Sequence, residues 1–278
     1  MVQSLLQTPQ LSEAQFWSLS SMVRGLCGIH LHDGKMALVR ARLNKRLRAR
    51  GLNSFGQYLE ALRNDDGGET AAMLDELSTN LTCFFREPRH FQYLREVALP
   101  ALLRQRGGTR RLRLWSAGCS SGEEPYSIAM TVRGVLAGRG DWDAAILGTD
   151  LSLRMLQRAQ DAVYSRQRLQ TVPSAMVSEH FRALEGGQRY QVRPELRRLV
   201  SLAYLNLVEP WPMKGQFDVI FCRNVMIYFD KPTQAQLVER FWNQLAPGGT
   251  LFIGHSESLA GITHRFRYVQ PTVYEKPW

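Results

Sequence analysis

At 278 residues with 44% hydrophobic side chains, the chain is long enough to bury a substantial core, as one large domain or a domain with a smaller partner, and it reads as globular. No run of about 18 apolar residues occurs, which argues against a membrane-spanning helix. The net charge of +10 calls for an acidic partner, and charge alone leaves nucleic acid, a membrane surface and an acidic protein open.

In chain order, Met1 to Pro9 lacks the basic-then-apolar pattern of a signal peptide, so a soluble, cytoplasmic protein is expected. Helix patterns follow at Ser12–Leu26, Lys35–Arg50, Ser54–Arg63 and Glu69–Leu77. They predict a small helical domain, bounded at residues 1–88, ahead of a second domain over 89–278, with the polar stretch Arg104–Arg110 as linker. On the second helix Met36, Val39, Leu43 and Leu47 form an apolar stripe, while Arg42, Lys45 and Arg48 project from the opposite side as a basic face. That face is either solvated surface or a docking site for an acidic partner.

From Arg111 onward strands and helices alternate: Leu112–Trp115, helix 123–137, Ala144–Thr149, helix 152–160, Asp218–Cys222, helix 232–245 and Thr250–Gly254. The alternation predicts an α/β fold, a doubly wound and mostly parallel sheet with helices on both faces. Phe266–Glu275 reads as a final strand or hairpin that gives the sheet an antiparallel edge. Residues 178–205, with Gly186-Gly187 between Phe181 and the alternating Arg189–Val192, read as an inserted β-subdomain. Cys27, Cys83, Cys119 and Cys222 are scattered without CxxC pairs, and His30, His32 and His255 form no HExxH pattern. Neither a disulfide framework nor a metal site is expected.

The run Trp115–Ser127 passes from a strand pattern through a Gly/Ser turn into a helix pattern, with Gly118 and Gly122 allowing the turn and Pro125 suited to the first helical turn. Its spacing is not G-x-G-x-x-G, and it carries Glu123 and Glu124 where a dinucleotide fold offers bare helix amides to a pyrophosphate. The two carboxylates either complement a cationic adenosyl cofactor without phosphate, pointing to S-adenosylmethionine (SAM), or simply favour the helix N-terminus. Asp150, ending the second strand, is placed either to hydrogen-bond a ribose or to cap the helix starting near Ser152.

Four segments, Asn80-Leu-Thr-Cys-Phe-Phe-Arg-Glu87, Ser116–Ser127, Phe217–Phe229 and Gly254-His-Ser-Glu257, together resemble the CheR family of chemoreceptor glutamate methyltransferases, in the family's order and across essentially the whole chain. The resemblance implies a SAM-dependent methyltransferase fold, SAM as methyl donor with S-adenosylhomocysteine as product, and no metal. It implies glutamates on the cytoplasmic helical bundle of chemoreceptors as substrate, and a cytoplasmic enzyme recruited to membrane receptor arrays, with neither nucleic acid nor membrane insertion involved. Carried over by position, Asn80, Thr82, Arg86, Gly118, Asp150, Asn206, Leu207, Arg223 and Asn224 resemble cofactor contacts, and Glu124 rather than Glu123 resembles the turn carboxylate. Arg86 and Tyr228 resemble residues that orient the reacting groups, although Tyr228 also suits a core aromatic and Asn80 and Thr82 suit turn formers.

Ser121 stands where the family often has threonine. The basic face of Arg42, Lys45 and Arg48 then reads as a dock for a glutamate-rich receptor helix. In part of the family the inserted β element captures a receptor C-terminal pentapeptide, and the sequence leaves this subtype open. Two other functions compete. A nucleic-acid methyltransferase lacks support because Arg223-Asn-Val-Met-Ile-Tyr occupies the place of an Asn/Asp-Pro-Pro-aromatic motif; a non-catalytic SAM sensor is opposed by Arg86, Asp150, Asn224 and Tyr228.

Overall fold

Short amphipathic helices with explicit end signals open the chain, whose computed structural model describes residues 9–278; the signal-peptide reading, on Met1 to Pro9, lies outside them but for Pro9. The chain divides into two compact units, parting between Thr79 and Asn80. In the first, α1 (Glu13–Cys27) starts in a capping box in which Ser12 and Gln15 bond reciprocally. Helices α2 (Met36–Ala49), α3 (Phe55–Arg63) and α4 (Gly68–Leu77) follow. Of the α2 stripe Val39, Leu43 and Leu47 are buried, as are Phe16, Phe55 and Tyr58, while Met36 is half-buried.

A buried ionic knot holds this unit. Arg46 grips Glu69 with both ends of its fork, Nε to Oε1 at 3.0 Å and Nη2 to Oε2 at 2.6 Å, and the Tyr58 hydroxyl donates to Oε1 at 2.8 Å. Burial and the adjoining carboxylate push the Tyr58 hydroxyl far above its ordinary pKa, so it remains a donor. On the basic face, Arg42 is committed to closing α4, donating to the Leu77 and Ser78 carbonyls at 2.7 and 3.1 Å and to Thr79 Oγ1 at 3.2 Å. Lys45 and Arg48 stay exposed, Lys45 at 3.8 Å from Glu76 and Arg48 donating to the Asn44 carbonyl.

The second unit begins earlier than the expected boundary at 88 and contains a helical run that the sequence reading omits. Helix α5 (Pro88–Tyr93) continues through a π-helical turn, Leu94–Ala98, into α6 (Leu99–Gln105). Phe91, Leu94, Leu99, Leu102 and Leu103 from this run are core. The expected linker at 104–110 is therefore no linker: Arg106 pairs with Asp218 at 2.9 Å, fixing the segment to the sheet.

The main sheet has seven strands in the order β6-β2-β1-β7-β8-β10-β9. Strands β1 (Arg111–Ala117), β2 (Asp143–Asp150), β6 (Val200–Tyr204), β7 (Phe217–Cys222) and β8 (Leu245–Ile253) pair in parallel. Strands β9 (Arg267–Gln270) and β10 (Val273–Glu275) form the expected antiparallel edge. β7 is buried at every residue, as a central parallel strand should be. The crossover helices are α7 (Glu123–Leu136), α8 (Leu153–Asp161) and α11 (Lys231–Gln244). Winding outward from β1 to β2 and β6, then back to β7 and β8, requires right-handed crossovers on opposite faces.

The inserted element differs from the expected 178–205. A separate three-stranded antiparallel sheet combines β3 (Val163–Ser165), β4 (Phe181–Leu184) and β5 (Arg189–Val192) in the order β3-β5-β4, with α9 (Ser174–His180) between β3 and β4. It begins at a three-residue strand too short to show a period. Residues 200–204 belong instead to the main sheet, as β6 beside β2, after the single-turn helix α10 (Pro194–Arg197).

Because Glu69 is almost fully buried and Arg46 largely so, Glu69→Gln leaves a guanidinium without its counter-charge. The expected loss is about 3 kcal/mol in the helical unit, read as a lower urea midpoint by circular dichroism. An unchanged midpoint would contradict a structural role for the knot.

Candidate active site

The site lies where β1, β2 and β7 end. β1 is the strand from which the chain winds first to one side and then to the other, and the crevice at such a switch point is where open α/β sheets bind ligands. Gly118 begins the turn after β1 at φ 82°, and a Cβ there would come within 2.5 Å of Val225 Cγ2, so a side chain would force the β1 and β7 loops apart. The amides of Gly118 and Cys119 both donate to the Thr149 carbonyl at the end of β2.

Asp150 completes this corner. Its carboxylate accepts from the amides of Ser120 and Ser152, each at 2.8 Å. Ser152, whose hydroxyl accepts from Met155 N at 3.1 Å, is itself the N-cap of α8, so Asp150 is not the cap.

The two turn carboxylates have separate partners. Glu123, wholly buried, accepts from Ser121 Oγ at 2.7 Å and from Arg168 Nη1 at 2.6 Å. Glu124 accepts from Ser116 Oγ at 2.7 Å and from Arg223 Nη1 at 3.0 Å. Burial pushes the Glu124 carboxyl up, against the Arg223 guanidinium and the Ser116 hydroxyl.

Arg223 is the hub, its side chain only 1% exposed. Beyond Glu124 it reaches Glu87 Oε2 at 3.1 Å, donates to the Arg86 carbonyl, and lies over the rings of Phe91 and Phe221 at 5.6 and 5.9 Å. Against burial, this guanidinium holds the Glu87 carboxyl below its usual range. His90, with Nδ1 3.4 Å from Glu87 Oε2 and Nε2 2.6 Å from Thr272 Oγ1, is pushed down to about 3 by burial and then by Arg223, so its imidazole is neutral. Glu87, His90 and His255 bring potential ligand atoms within 4.8 Å of one another, but Arg223 already neutralises the carboxylate among them.

The segment Asn80–Arg86 folds onto the turn. The Asn80 carbonyl accepts from Ser120 Oγ at 3.2 Å, the Thr82 carbonyl from Arg168 at 3.3 Å, and the Phe85 amide donates to Ser127 Oγ at 3.0 Å. Arg86 Nη1 donates to the Leu81 carbonyl at 2.8 Å. Asn224 follows β7 in left-handed backbone at φ 59°, and Tyr228 ends a 3₁₀ turn, Met226–Tyr228, half-buried. Asn206 and Leu207 sit in the loop after β6: the Asn206 side chain bonds Glu209 and Val208, while the Leu207 carbonyl accepts from Trp211 and Arg240.

The structure thus gathers Asn80, Thr82, Arg86, Gly118, Glu124, Asp150, Arg223 and Asn224 through direct bonds or loop contacts, and joins the Asn206 loop through Leu205 N to the Asp150 carbonyl at 3.1 Å. Arg42, Lys45 and Arg48 belong to the helical unit.

Over residues 80–275 the chain matches the description "CheR methyltransferase, SAM binding domain", and over 14–78 "CheR methyltransferase, all-alpha domain". The chain belongs to the CheR methyltransferase family. It is 43% identical over 257 residues to a probable chemotaxis protein methyltransferase of Rhizobium etli, spanning 91% of this chain and 96% of that one. The chemotaxis protein methyltransferase of Escherichia coli is 40% identical over 269 residues, 95% and 91% of the two chains, and chemotaxis protein methyltransferase 2 of Pseudomonas aeruginosa 43% over 252 residues, 90% and 88%. No described helix is long and apolar enough to cross a membrane.

In this CheR site the donor set suits SAM. The carboxylates of Glu124 and Asp150 flank the turn that Gly118 begins, favouring a cationic guest and opposing a diphosphate. Buried Arg223 Nε has no hydrogen-bond partner among the described groups, and Glu87 Oε2 has charge contacts with Arg223 and the His90 ring. Glu87, Arg168 and Glu257 join the site residues without being expected from the sequence, where the available signal is that Glu87 and Glu257 are acids closing two of the motifs that carry the resemblance.

Because His90 in the folded protein titrates near 3 and an unfolded histidine near 6.5, the unfolded state binds the extra proton between these values. Stability is therefore full above about pH 6.5 and falls on acidification, by up to about 1.4 kcal/mol per pH unit from His90. His90→Asn should flatten the fall in melting temperature between pH 6.5 and 5, leaving the slope from His180, which burial also lowers. An unaltered slope would contradict the neutral, buried assignment.

Proposed function

We propose that this CheR methyltransferase transfers the methyl group of SAM to glutamate side chains on the cytoplasmic helical bundle of bacterial chemoreceptors, in chemotaxis adaptation. The products are γ-glutamyl methyl esters and S-adenosylhomocysteine. The observation that carries this reading is the acidic corner of Glu124 and Asp150 beside buried Arg223, in a chain whose relatives are chemotaxis methyltransferases.

When bound, SAM supplies an electrophilic methyl on a sulfonium. No general base is required, because an exposed glutamate, with a pKa near 4.3, is already an anionic nucleophile at neutral pH. The protein's task is alignment and exclusion of water. Asp150 takes the ribose hydroxyls, and Asn80, Thr82, Gly118, Glu124, Asn206, Leu207, Arg223 and Asn224 line the cofactor. Arg86 and Tyr228 orient the reacting groups as hydrogen-bond donors; an arginine that gripped the incoming carboxylate bidentately would dull its nucleophilicity, so Arg86 acts mainly on the cofactor side.

Receptor docking falls to the basic face of α2. With Arg42 spent on the end of α4, Lys45 and Arg48 are the exposed cations that steer an acidic receptor helix. The small sheet, whose edges are β3 and β4, is the candidate for capturing a receptor C-terminal pentapeptide by strand addition. These contacts bring the enzyme to membrane receptor arrays.

Incubation with radiolabelled SAM and receptor cytoplasmic fragments should yield label that mild alkali releases as methanol; alkali-stable label would overturn the glutamyl-ester assignment. Asp150→Ala should weaken SAM binding by about 1.5–3 kcal/mol per ribose hydrogen bond lost, measured by calorimetry, and unchanged affinity would contradict the ribose role. Tyr228→Phe should bind SAM normally yet slow single-turnover transfer roughly ten- to a hundredfold, whereas a wild-type rate would return Tyr228 to a packing role.

A further inference from the structure

The Gly254-His-Ser-Glu257 segment carries a buried carboxylate whose oxygens take up amides of the loop after β7 and of Gly254 itself. Glu257 Oε2 accepts from Asn224 N at 2.9 Å and from Gly254 N; Oε1 accepts from Val225 N at 2.9 Å and Ile227 N at 3.2 Å. Three amides of the loop after β7 and one at the end of β8 thus converge on a single side chain, 8% exposed, in an arrangement that binds an anion through main-chain amides.

Asn224 needs such support. It is not glycine, yet its φ is 59°, a left-handed conformation that persists only where surrounding contacts over-determine it. A second feature bears on the same residue from the end of the neighbouring parallel strand, β8. A Cβ at Gly254 would lie 2.5 Å from Asn224 Nδ2 and 2.7 Å from Asn224 N, so the missing side chain at Gly254 leaves the space that the asparagine occupies.

We propose that Glu257 is a positioning residue: its carboxylate, with the bare backbone of Gly254, fixes Asn224 in the conformation that presents its side chain to the cofactor. The proposal rests on the reading of Asn224 as a cofactor contact. It also extends to Tyr228, because the Ile227 amide held by Oε1 belongs to the 3₁₀ turn that Tyr228 ends. A carboxamide cannot replace the carboxylate, since its NH₂ would face amide donors where an acceptor is required. Glu257 touches neither reactant and acts through the loop.

The test is a double-mutant cycle on the full chain, with SAM affinity measured by calorimetry. Asn224→Ala and Glu257→Gln should each weaken SAM binding about tenfold, and the double variant should be no weaker than Asn224→Ala alone, because both remove the same contact. A residue that acted on SAM independently of Asn224 would give losses that multiply, and one that merely stabilised the fold would leave the affinity of the folded protein unchanged. Gly254→Ala, whose methyl group displaces Asn224 while leaving Glu257 in place, should behave as Glu257→Gln does, and supplies the same cycle if Glu257→Gln does not fold. Unchanged affinity in Asn224→Ala would overturn the reading of Asn224 and the proposal with it. A loss in Asn224→Ala with wild-type affinity in Glu257→Gln or Gly254→Ala, or multiplying losses in the double variant, would overturn the positioning role alone.

Discussion

The buried Arg223 guanidinium is the interaction on which the arrangement of the methyltransferase unit depends. A cation removed from water at the end of a fully buried strand is tolerable only with counter-charges in contact, and removing one partner leaves the others costly. Glu124 supplies one from the start of α7 and Glu87 another from the start of α5, while the Arg86 carbonyl and two phenyl rings complete the shell. One side chain therefore fixes the relative positions of three segments far apart in sequence, the Asn80–Glu87 stretch, the turn after β1 and the end of β7.

That constraint also explains why the corner is acidic. Glu123 is answered by Arg168, Glu124 by Arg223, and Asp150 by two backbone amides, so each carboxylate of the corner has a partner that holds it in place. An anionic phosphate would meet like charge, while a sulfonium with a cationic amino group meets its complement. The helical unit uses its charges differently. Arg46 and Arg42 are consumed internally, one in the Glu69 knot and one on the carbonyls ending α4, and of the expected basic face Lys45 and Arg48 remain outward.

Much of this was legible in the sequence, for identifiable reasons. The α/β alternation after Arg111 has strong periods and buried strands, and the turn from Gly118 to Glu124 announces itself through glycine and acid spacing. What was not legible lacks a local signal. The three-residue strand β3 has no period, so the small sheet was placed too late and β6 was absorbed into it. The run Pro88–Gln105 changes from α to π and back, blurring its apolar spacing, and its basic end resembles a linker until Asp218, more than a hundred residues on, is seen to pair with Arg106. Glu87, His90 and Glu257 were visible as residues but not as partners, since partnership between them and Arg223 or Asn224 exists only after the sheet forms.

The most direct measurement of the central claim is SAM binding by calorimetry to Arg223→Lys. Lysine keeps the charge but cannot hold Glu124 and Glu87 at once through a planar fork. A protein folded as the wild type, by circular dichroism, with SAM affinity reduced at least about tenfold is the expected result. Wild-type affinity in a folded Arg223→Lys protein would contradict the claim that this guanidinium assembles the site.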